Sequence, residues 1–435
     1  MKPIRRKRAI VLVDGEHHPA AVGDALTGLA GAYEIVALVF CGGGEKAGAA
    51  VLADPKAHYG FPLVFGDSPA RALQTALARH GGEVVIDFAD EPVVAVGEKL
   101  RLAAVAMASG LSYEAPGMSL EPLKRHTVDF DGPKLAVIGT GKRTGKTAVC
   151  GHLAGLIGDA GGSPAIVSMG RGGPSSPRLA EPTTGLDELL ALADRGVHAA
   201  SDYLEDAVLA GVPAIGCRRV GGGPGGQTGP TNFVEGARMA ARLDGIDCLL
   251  FEGSGATIPP VVADRTVCVA GSLEQADTLA GPLRLIESEL VLVYADQPGT
   301  LRAAQRWAGG EVVGFELVSA PVSELPGDAR VAFFSTRAER LEGVDPLVVS
   351  TNLARRAQLE ADLDAAVKAG CTHFLTELKA AAIDVVATRA RREAIEIVFV
   401  RNRPVARDAD LDGILLGLYE QAMTQPVAAA DTAGD

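Results

Sequence analysis

Little in this chain is aromatic: one tryptophan, six tyrosines and twelve phenylalanines among 435 residues, or 4%. Ala, Gly, Val and Leu dominate, and 47% of the residues are hydrophobic. Small aliphatic side chains suit a parallel sheet buried on both faces. Long apolar runs are missing too. The longest early one, Ala9–Val13, is far too short for a signal peptide or a membrane span. The expectation is a cytoplasmic protein with no membrane partner. Cys41, Cys150, Cys217, Cys248, Cys268 and Cys371 form no CxxC pair and have no His at metal-ligand spacing. They read as small core residues in a reducing compartment. Basic residues fall short of acidic ones, 41 against 54, for a net charge of −13. That deficit argues against broad nucleic-acid binding. A phosphorylated ligand would need a local basic site in an acidic body.

Strand-length apolar runs alternate with helical stretches nearly throughout, which predicts an α/β protein. The early strands are expected at Arg8–Val13, Glu34–Phe40, Pro62–Phe65 and Glu83–Phe88, forming a Rossmann-like N-terminal domain over 1–125. A P-loop NTPase-like parallel-sheet domain is expected over 134–345. Its strands follow at Pro164–Ser168, Val212–Gly216, Asp247–Phe251, Thr266–Ala270, Leu290–Tyr294 and Glu311–Phe315. A C-terminal α/β extension fills 346–425, with helices Asn352–Ala369 and Ala380–Glu393 and strands Thr372–Leu375 and Ile395–Arg401. Residues 426–435 have disordered composition. No solenoid-type repeat is present.

The most informative segment is GTGKRTGKT, Gly139 to Thr147, set between the apolar run LAVI and a helix-like stretch. Strand, Gly-containing loop, Lys-Thr and helix together make a phosphate-binding loop. Backbone N–H groups there point at phosphate oxygens. Lys146 adds charge near the β- and γ-phosphates, and Thr147 can offer its hydroxyl to Mg²⁺. The nucleotide-binding candidates are Gly139, Thr140, Gly141, Lys142, Arg143, Thr144, Gly145, Lys146, Thr147 and Ala148. Thr140 stands where most such loops carry glycine. The string GTxxxxGKT resembles the dethiobiotin synthetase branch of P-loop proteins.

Six further stretches are candidates for the same chemistry. Glu252 ends a buried strand in DCLLFEGSGATIPP, where a P-loop fold places a Mg²⁺-holding acid, and Gly253 and Gly255 allow close backbone approach. An ordinary strand-to-loop turn would also put a Glu there. SMGRGGP offers Arg171, Gly172 and Gly173 as an oxyanion nest, or as a flexible turn. CRRVGGGPGG offers Arg218, Arg219, Gly221 and Gly222, of which one arginine at most faces a ligand from a strand. Thr231 or Asn232 then caps a helix. HAASDYLEDAV puts Asp202, Glu205 and Asp206 in early helical turns; Asp202 is a candidate metal ligand, although a cap at Ser201 and dipole pairing explain the acids equally. In the first domain Asp14, Glu16, His17 and His18 follow the first strand, with His17 a candidate phosphate ligand or proton shuttle. Near the C-terminus Glu377, Lys379, Arg401 and Arg403 stand out, and Lys379 is a candidate substrate-phosphate ligand.

Taken in order, VDGEHHP, GTGKRTGKTA, MGRGGP, HAASDYLEDA, IGCRRVGGG, FEGSGATIPP and ELKAAAIDVV resemble the cyclic 2,3-diphosphoglycerate synthetase family over most of the chain. The resemblance implies an ATP-dependent ligase that joins the two phosphates of 2,3-bisphosphoglycerate into an intramolecular phosphoanhydride. It also implies a homodimer, and the P-loop residues Thr147 and Glu252 add the expectation of Mg²⁺. The catalytic candidates are then Lys142, Arg143, Lys146 and Glu252. Two other readings stay open here: a kinase acting on 2-phosphoglycerate with the same loops, and a nucleotide-switch GTPase of metallochaperone type. No NKxD-type guanine motif ends any expected strand, which weakens the last.

Overall fold

A computed structural model describes residues 5–196, 199, 201–278, 280–337 and 340–426. His198 and the tail from 427 lie outside the described residues.

Two sheets organise the chain. The first contains β1 (Lys7–Val13), β2 (Tyr33–Phe40), β3 (Leu63–Val64), β4 (Val84–Asp87), β5 (Ser112–Ala115) and β6 (Met118–Leu120), in spatial order β3-β2-β1-β4-β5-β6. Every pairing is parallel except β5 with β6. The fully buried residues Ala9–Leu12 of β1 are the sequence's early apolar run, covered by helices on both faces.

The second sheet contains β7 (Lys134–Gly139), β8 (Pro164–Gly170), β9 (Arg178–Ala180), β10 (Ala214–Arg218), β11 (Cys248–Glu252), β12 (Arg265–Ala270), β13 (Leu290–Tyr294), β14 (Glu311–Pro321), β15 (Val331–Phe334), β16 (Arg340–Leu341), β17 (Val348–Ser350), β18 (His373–Thr376) and β19 (Glu396–Val405). Its order is β17-β15-β18-β19-β14-β13-β12-β7-β11-β8-β10-β9, with β16 on β14. The P-loop strand β7 therefore sits centrally, between β11 and β12. Among the described residues no helix is long and apolar enough to cross a membrane.

The sheet does not break near residue 345, where the sequence pattern suggested a boundary. β14 was expected to stop at Phe315, but it continues to Pro321 because its second half pairs antiparallel with β19. β15 and β17, too short to stand out by periodicity, lie before and after that position and pair with each other, and β15 also pairs with β18. The last helical segments also start later than their apolar pattern suggests. Asn352 and Ser350 spend their side chains on Asp362, and the helix runs Arg356–Lys368. Ala380 has φ of 49°, outside the right-handed helical region. The expected helix from Ala380 becomes a π-helical turn, Ala382–Ala387, followed by the short helix Thr388–Arg392.

The two sheets share packing. Val85 of the first, and Met107 on the helix Val96–Ala108 packed against it, belong to one apolar cluster with Ile138 and Phe251 of the second. Arg125 pairs with Glu287 at 2.7 Å, and Gln227 Nε2 donates to the Glu121 carbonyl at 2.8 Å.

Candidate functional site

The carboxyl ends of β7, β8, β11 and β13 surround one cavity of about 350 Å³. Crevices at such ends are where open α/β sheets take ligands. After β7 the chain turns into the helix Lys146–Asp159, using positive φ at Arg143 (60°) and Gly145 (98°). Gly145 has a second reason to lack a side chain: an added Cβ would lie 3.0 Å from the Tyr294 hydroxyl. The first helical N–H groups have no intrahelical acceptor and line the cavity. Thr140 has a definite use, since its Oγ1 accepts the Gly271 N–H at 2.9 Å and ties the loop to the end of β12. Lys146 is buried, and its Nζ donates to the Gly141 carbonyl at 2.9 Å. Burial lowers its pKa, with the Glu252 charge opposing.

β11 delivers Glu252 against that helix. Glu252 Oε1 accepts from Thr147 Oγ1 at 2.6 Å, while Oε2 is buried without a partner. Burial first, and Asp202 second, push its pKa up to about 8; the Thr147 hydrogen bond and Lys146 pull the other way. A cation beside the orphaned oxygen would favour the ionised form. Thr147 and Glu252 thus fit Mg²⁺, and Asp202 lines the same cavity. Among the described residues no group of three or more His, Cys, Asp or Glu is arranged to hold a metal ion. The remaining ligands would be phosphate oxygens and water.

Two arginines meet across the end of β11. Arg219 is 4% exposed; its Nη1 donates to the Gly221 carbonyl at 2.7 Å and its Nη2 to the Ser254 carbonyl at 2.9 Å. Its Nε is buried without a partner. Arg171 stands on the loop after β8. An added Cβ at Gly255 would be 3.3 Å from Arg219 Nη2 and 3.4 Å from Arg171 Nη2, so both guanidiniums converge on that glycine. Burial, and then the Arg171 charge, lower the Arg219 pKa. A second cavity of about 510 Å³ opens there, lined by Arg171, Arg219, Gly221 and Gly222. Arg171 lines both cavities.

The C-terminal strands supply the opposite wall. Lys379 Nζ lies 3.1 Å from Glu205 Oε1 and 3.7 Å from Glu377 Oε1. Burial pushes the Glu205 pKa up to about 7 against the pull of Lys379. Burial alone would raise Glu377 as well. Lys379 and hydrogen bonds from Thr336 and Asn402 outweigh it and leave that pKa lowered.

Most of the sequence candidates are thus brought together. Lys142 to Thr147, Arg171, Gly172, Gly173, Asp202, Glu252 and Lys379 line the main cavity. Gly139, Thr140, Gly141 and Ala148 shape the loop behind it. His17 and Arg218, both expected to hold substrate phosphate, line neither cavity. His17 Nδ1 pairs with Asp14 Oδ1 at 2.7 Å, and Asp14 also accepts the N–H groups of Glu16, His17 and Asp90, so this cluster builds a turn. Arg218 is exposed; its backbone N–H goes to Asn232 Oδ1 and its carbonyl accepts from Thr231 Oγ1. Asn232 therefore ties the strand instead of capping the helix Phe233–Ala240. Ser201 makes no side-chain cap bond either. Tyr294, Leu317, Thr336, Arg337 and Ala354 line the cavity without having been anticipated. Tyr294 ends an expected strand, which is the signal that marks it; Arg337 and Ala354 stand in no recognisable pattern.

A phosphate-binding loop at the centre of this sheet, with an acid on the adjoining strand, defines a P-loop nucleotide-binding enzyme fold. Family models for cyclic 2,3-diphosphoglycerate synthetase match its N-terminal domain at residues 8–121, its P-loop domain at 134–301 and its C-terminal domain at 328–403. The chain belongs to the cyclic 2,3-diphosphoglycerate synthetase family. The protein of that name from Rubrobacter xylanophilus is 43% identical over 95% of this chain and 98% of its own. That from Methanothermus fervidus is 32% identical over 96% and 98%. Among solved structures, LpxK from Aquifex aeolicus in complex with ATP matches 68% of this chain and 91% of that one, at 12% identity and a TM-score of 0.40. That likeness is too loose to argue from.

Proposed function

We propose that the protein is an ATP-dependent ligase that closes 2,3-bisphosphoglycerate to cyclic 2,3-diphosphoglycerate, releasing ADP and phosphate. The observation that carries it is the convergence of Arg171 and Arg219 on Gly255, directly after the acid that touches the P-loop helix. A nucleotide site joined to a second cationic pocket suits a reaction between two polyanions.

In this reading an oxygen of one substrate phosphate attacks the ATP γ-phosphorus, and the bond to the ADP oxygen breaks. The substrate then carries a diphosphate. An oxygen of the neighbouring phosphate attacks the inner phosphorus, the bond to the outer phosphoryl breaks, and inorganic phosphate leaves. Both electron pairs go to phosphate leaving groups, so the protein need supply no nucleophile. It must hold like charges together, at ~4 kcal/mol for each pair at 4 Å and an effective dielectric of 20. Lys142, Arg143 and Lys146 neutralise the nucleotide phosphates, and the loop N–H groups fix their orientation. Arg171 and Arg219, with Gly221 and Gly222, hold the substrate phosphates. Lys379 adds a charge from the C-terminal wall. Bound Mg²⁺, held by Thr147 and Glu252, would supply further charge neutralisation.

Phosphorus NMR of the product tests the proposal. Supplied with ATP, Mg²⁺ and 2,3-bisphosphoglycerate, the protein should yield the paired anhydride resonances of the cyclic compound. Product formed only from 2-phosphoglycerate, ending at the 2,3-bisphosphate, would replace this reading with a kinase. Lys146→Ala should lower turnover on the order of 10²-fold or more. A homodimer is carried over from the family resemblance, and light scattering of the purified protein tests it.

A further inference from the structure

Two buried arginines strap the same pair of loops. The loop after β10 and the loop after β11 form walls of the second cavity. Arg219, which lines that cavity, joins them from the Gly221 carbonyl to the Ser254 carbonyl. Arg284 joins them again further along. Its Nε donates to the Ala256 carbonyl at 2.7 Å, and its Nη1 and Nη2 reach the Pro224 carbonyl, each at 3.4 Å. Nη1 also donates to the Ala280 carbonyl at 2.9 Å, which ties the strap to its own helix, Gly281–Ile286. Arg284 itself lines neither cavity.

An arginine is a costly residue at this place. Arg284 is 3% exposed, and among the described residues it makes no ion pair; Glu287, three residues on, pairs with Arg125. A buried guanidinium without a carboxylate is destabilising unless its donors are used. Methionine or leucine would fill similar space without that penalty. Neither could bond carbonyls on two loops at once, which the planar fork of a guanidinium does.

The loops have need of such a tie. The one after β10 contains Gly221, Gly222, Gly223, Gly225 and Gly226, so it has few side chains to pack. A backbone bond from the Ile258 N–H to the Gly226 carbonyl, at 2.9 Å, helps to close it on its neighbour. The helix that carries Arg284 is firmly held. Leu283 and Leu285 belong to one apolar cluster with Leu102 and Met107 of the helix Val96–Ala108. The anchor of both loops therefore reaches into the N-terminal domain.

We propose that Arg284 is a positioning residue for the ring-closing reaction. It sets the separation of the two loops, and with it the place of Arg219 against the substrate phosphates. It touches no substrate atom, and its effect passes through Arg219. The inference rests on the substrate reading of the Arg171–Arg219 pocket given above.

A double-mutant cycle on kcat/KM for 2,3-bisphosphoglycerate, followed by ADP release, tests it. Arg284→Met keeps most of the side-chain length and removes both ties. It should lower kcat/KM on the order of 10²-fold, the loss that a shift of about 1 Å brings, and leave ADP affinity by calorimetry unchanged. In an Arg219→Ala background the same substitution should do little more, because the group it places is gone. Losses that multiply in the double variant overturn the proposal, as does an Arg284→Met enzyme as active as the parent. Arg284→Lys keeps the charge without the fork and should behave like Arg284→Met; full activity there would show that charge alone suffices and would overturn the strap. If Arg284→Met does not fold, the lysine variant carries the cycle. If Arg219→Ala by itself leaves kcat/KM intact, the substrate reading of that pocket fails and this inference falls with it.

Discussion

Burial shifts the pKa of several single side chains in or beside the cavity. Glu205 shows how this can be measured. Its folded pKa is raised to about 7 from 4.5, chiefly by burial. A raised acid pKa contributes stability that is whole below the unfolded value and is lost as pH climbs through the folded one. Glu205→Gln removes that dependence. Melting temperatures of variant and parent should therefore move apart in the variant's favour as pH rises from about 4.5 to 7. A constant difference across that window would show that Glu205 does not titrate there. The converging guanidiniums make a separate prediction. Arg171→Ala and Arg219→Ala should raise the KM for 2,3-bisphosphoglycerate and leave ADP affinity nearly intact. Collapse of ADP binding would move those loops into the nucleotide site.

Loops and strands explain why some positions were readable and others not. The P-loop was legible because its chemistry is local: strand, glycines, Lys-Thr and helix are consecutive. Glu252 was legible because it ends a buried strand. The Arg218–Arg219 pair was legible only as an alternative, since a strand turns successive side chains to opposite faces, and the structure exposes Arg218 and buries Arg219. Arg337 and Ala354 were invisible because short strands far along the chain bring them in. Glycine placement in the loop after β8 makes a sharp test. A Cβ on Gly173 would stand 2.0 Å from the Cys217 carbonyl oxygen, a clash with backbone that no rotamer relieves. Gly173→Ala should push that loop off β10 and cost about 1–3 kcal/mol in denaturant unfolding, while Gly172→Ala, with open space at its Cβ, should be nearly neutral.

Across the whole molecule the instructive feature is the uninterrupted second sheet. An α/β class, the P-loop unit and the N-terminal sheet followed from the alternation of apolar runs. The continuity did not, because pairing between β14 and β19 joins residues some eighty positions apart. Glu377 lies at that junction. It accepts from Thr336 N and Oγ1 at 2.7 and 2.9 Å and from Asn402 Nδ2 at 2.6 Å, and Asn402 Oδ1 accepts from Ser319 Oγ. Glu377→Ala orphans several of these buried groups at once and should destabilise the protein by about 3 kcal/mol or more. Truncation after residue 345 should be worse. It strips β18 and β19 from β15 and β14 and leaves strand edges bare, so the fragment is expected to aggregate in a sedimentation assay.

The six cysteines carry a consequence for unfolding. All are buried and unpaired, and burial raises each thiol's pKa, to about 12 for Cys217 and Cys268. A thiol alkylating reagent therefore finds little thiolate and no access in the folded chain. The cysteines lie just after β2, in the P-loop helix, β10, β11 and β12, and just before β18, one or more in each part of the molecule. They form a built-in clock: pulse alkylation with peptide mapping would time the opening of each part separately, without a single engineered label.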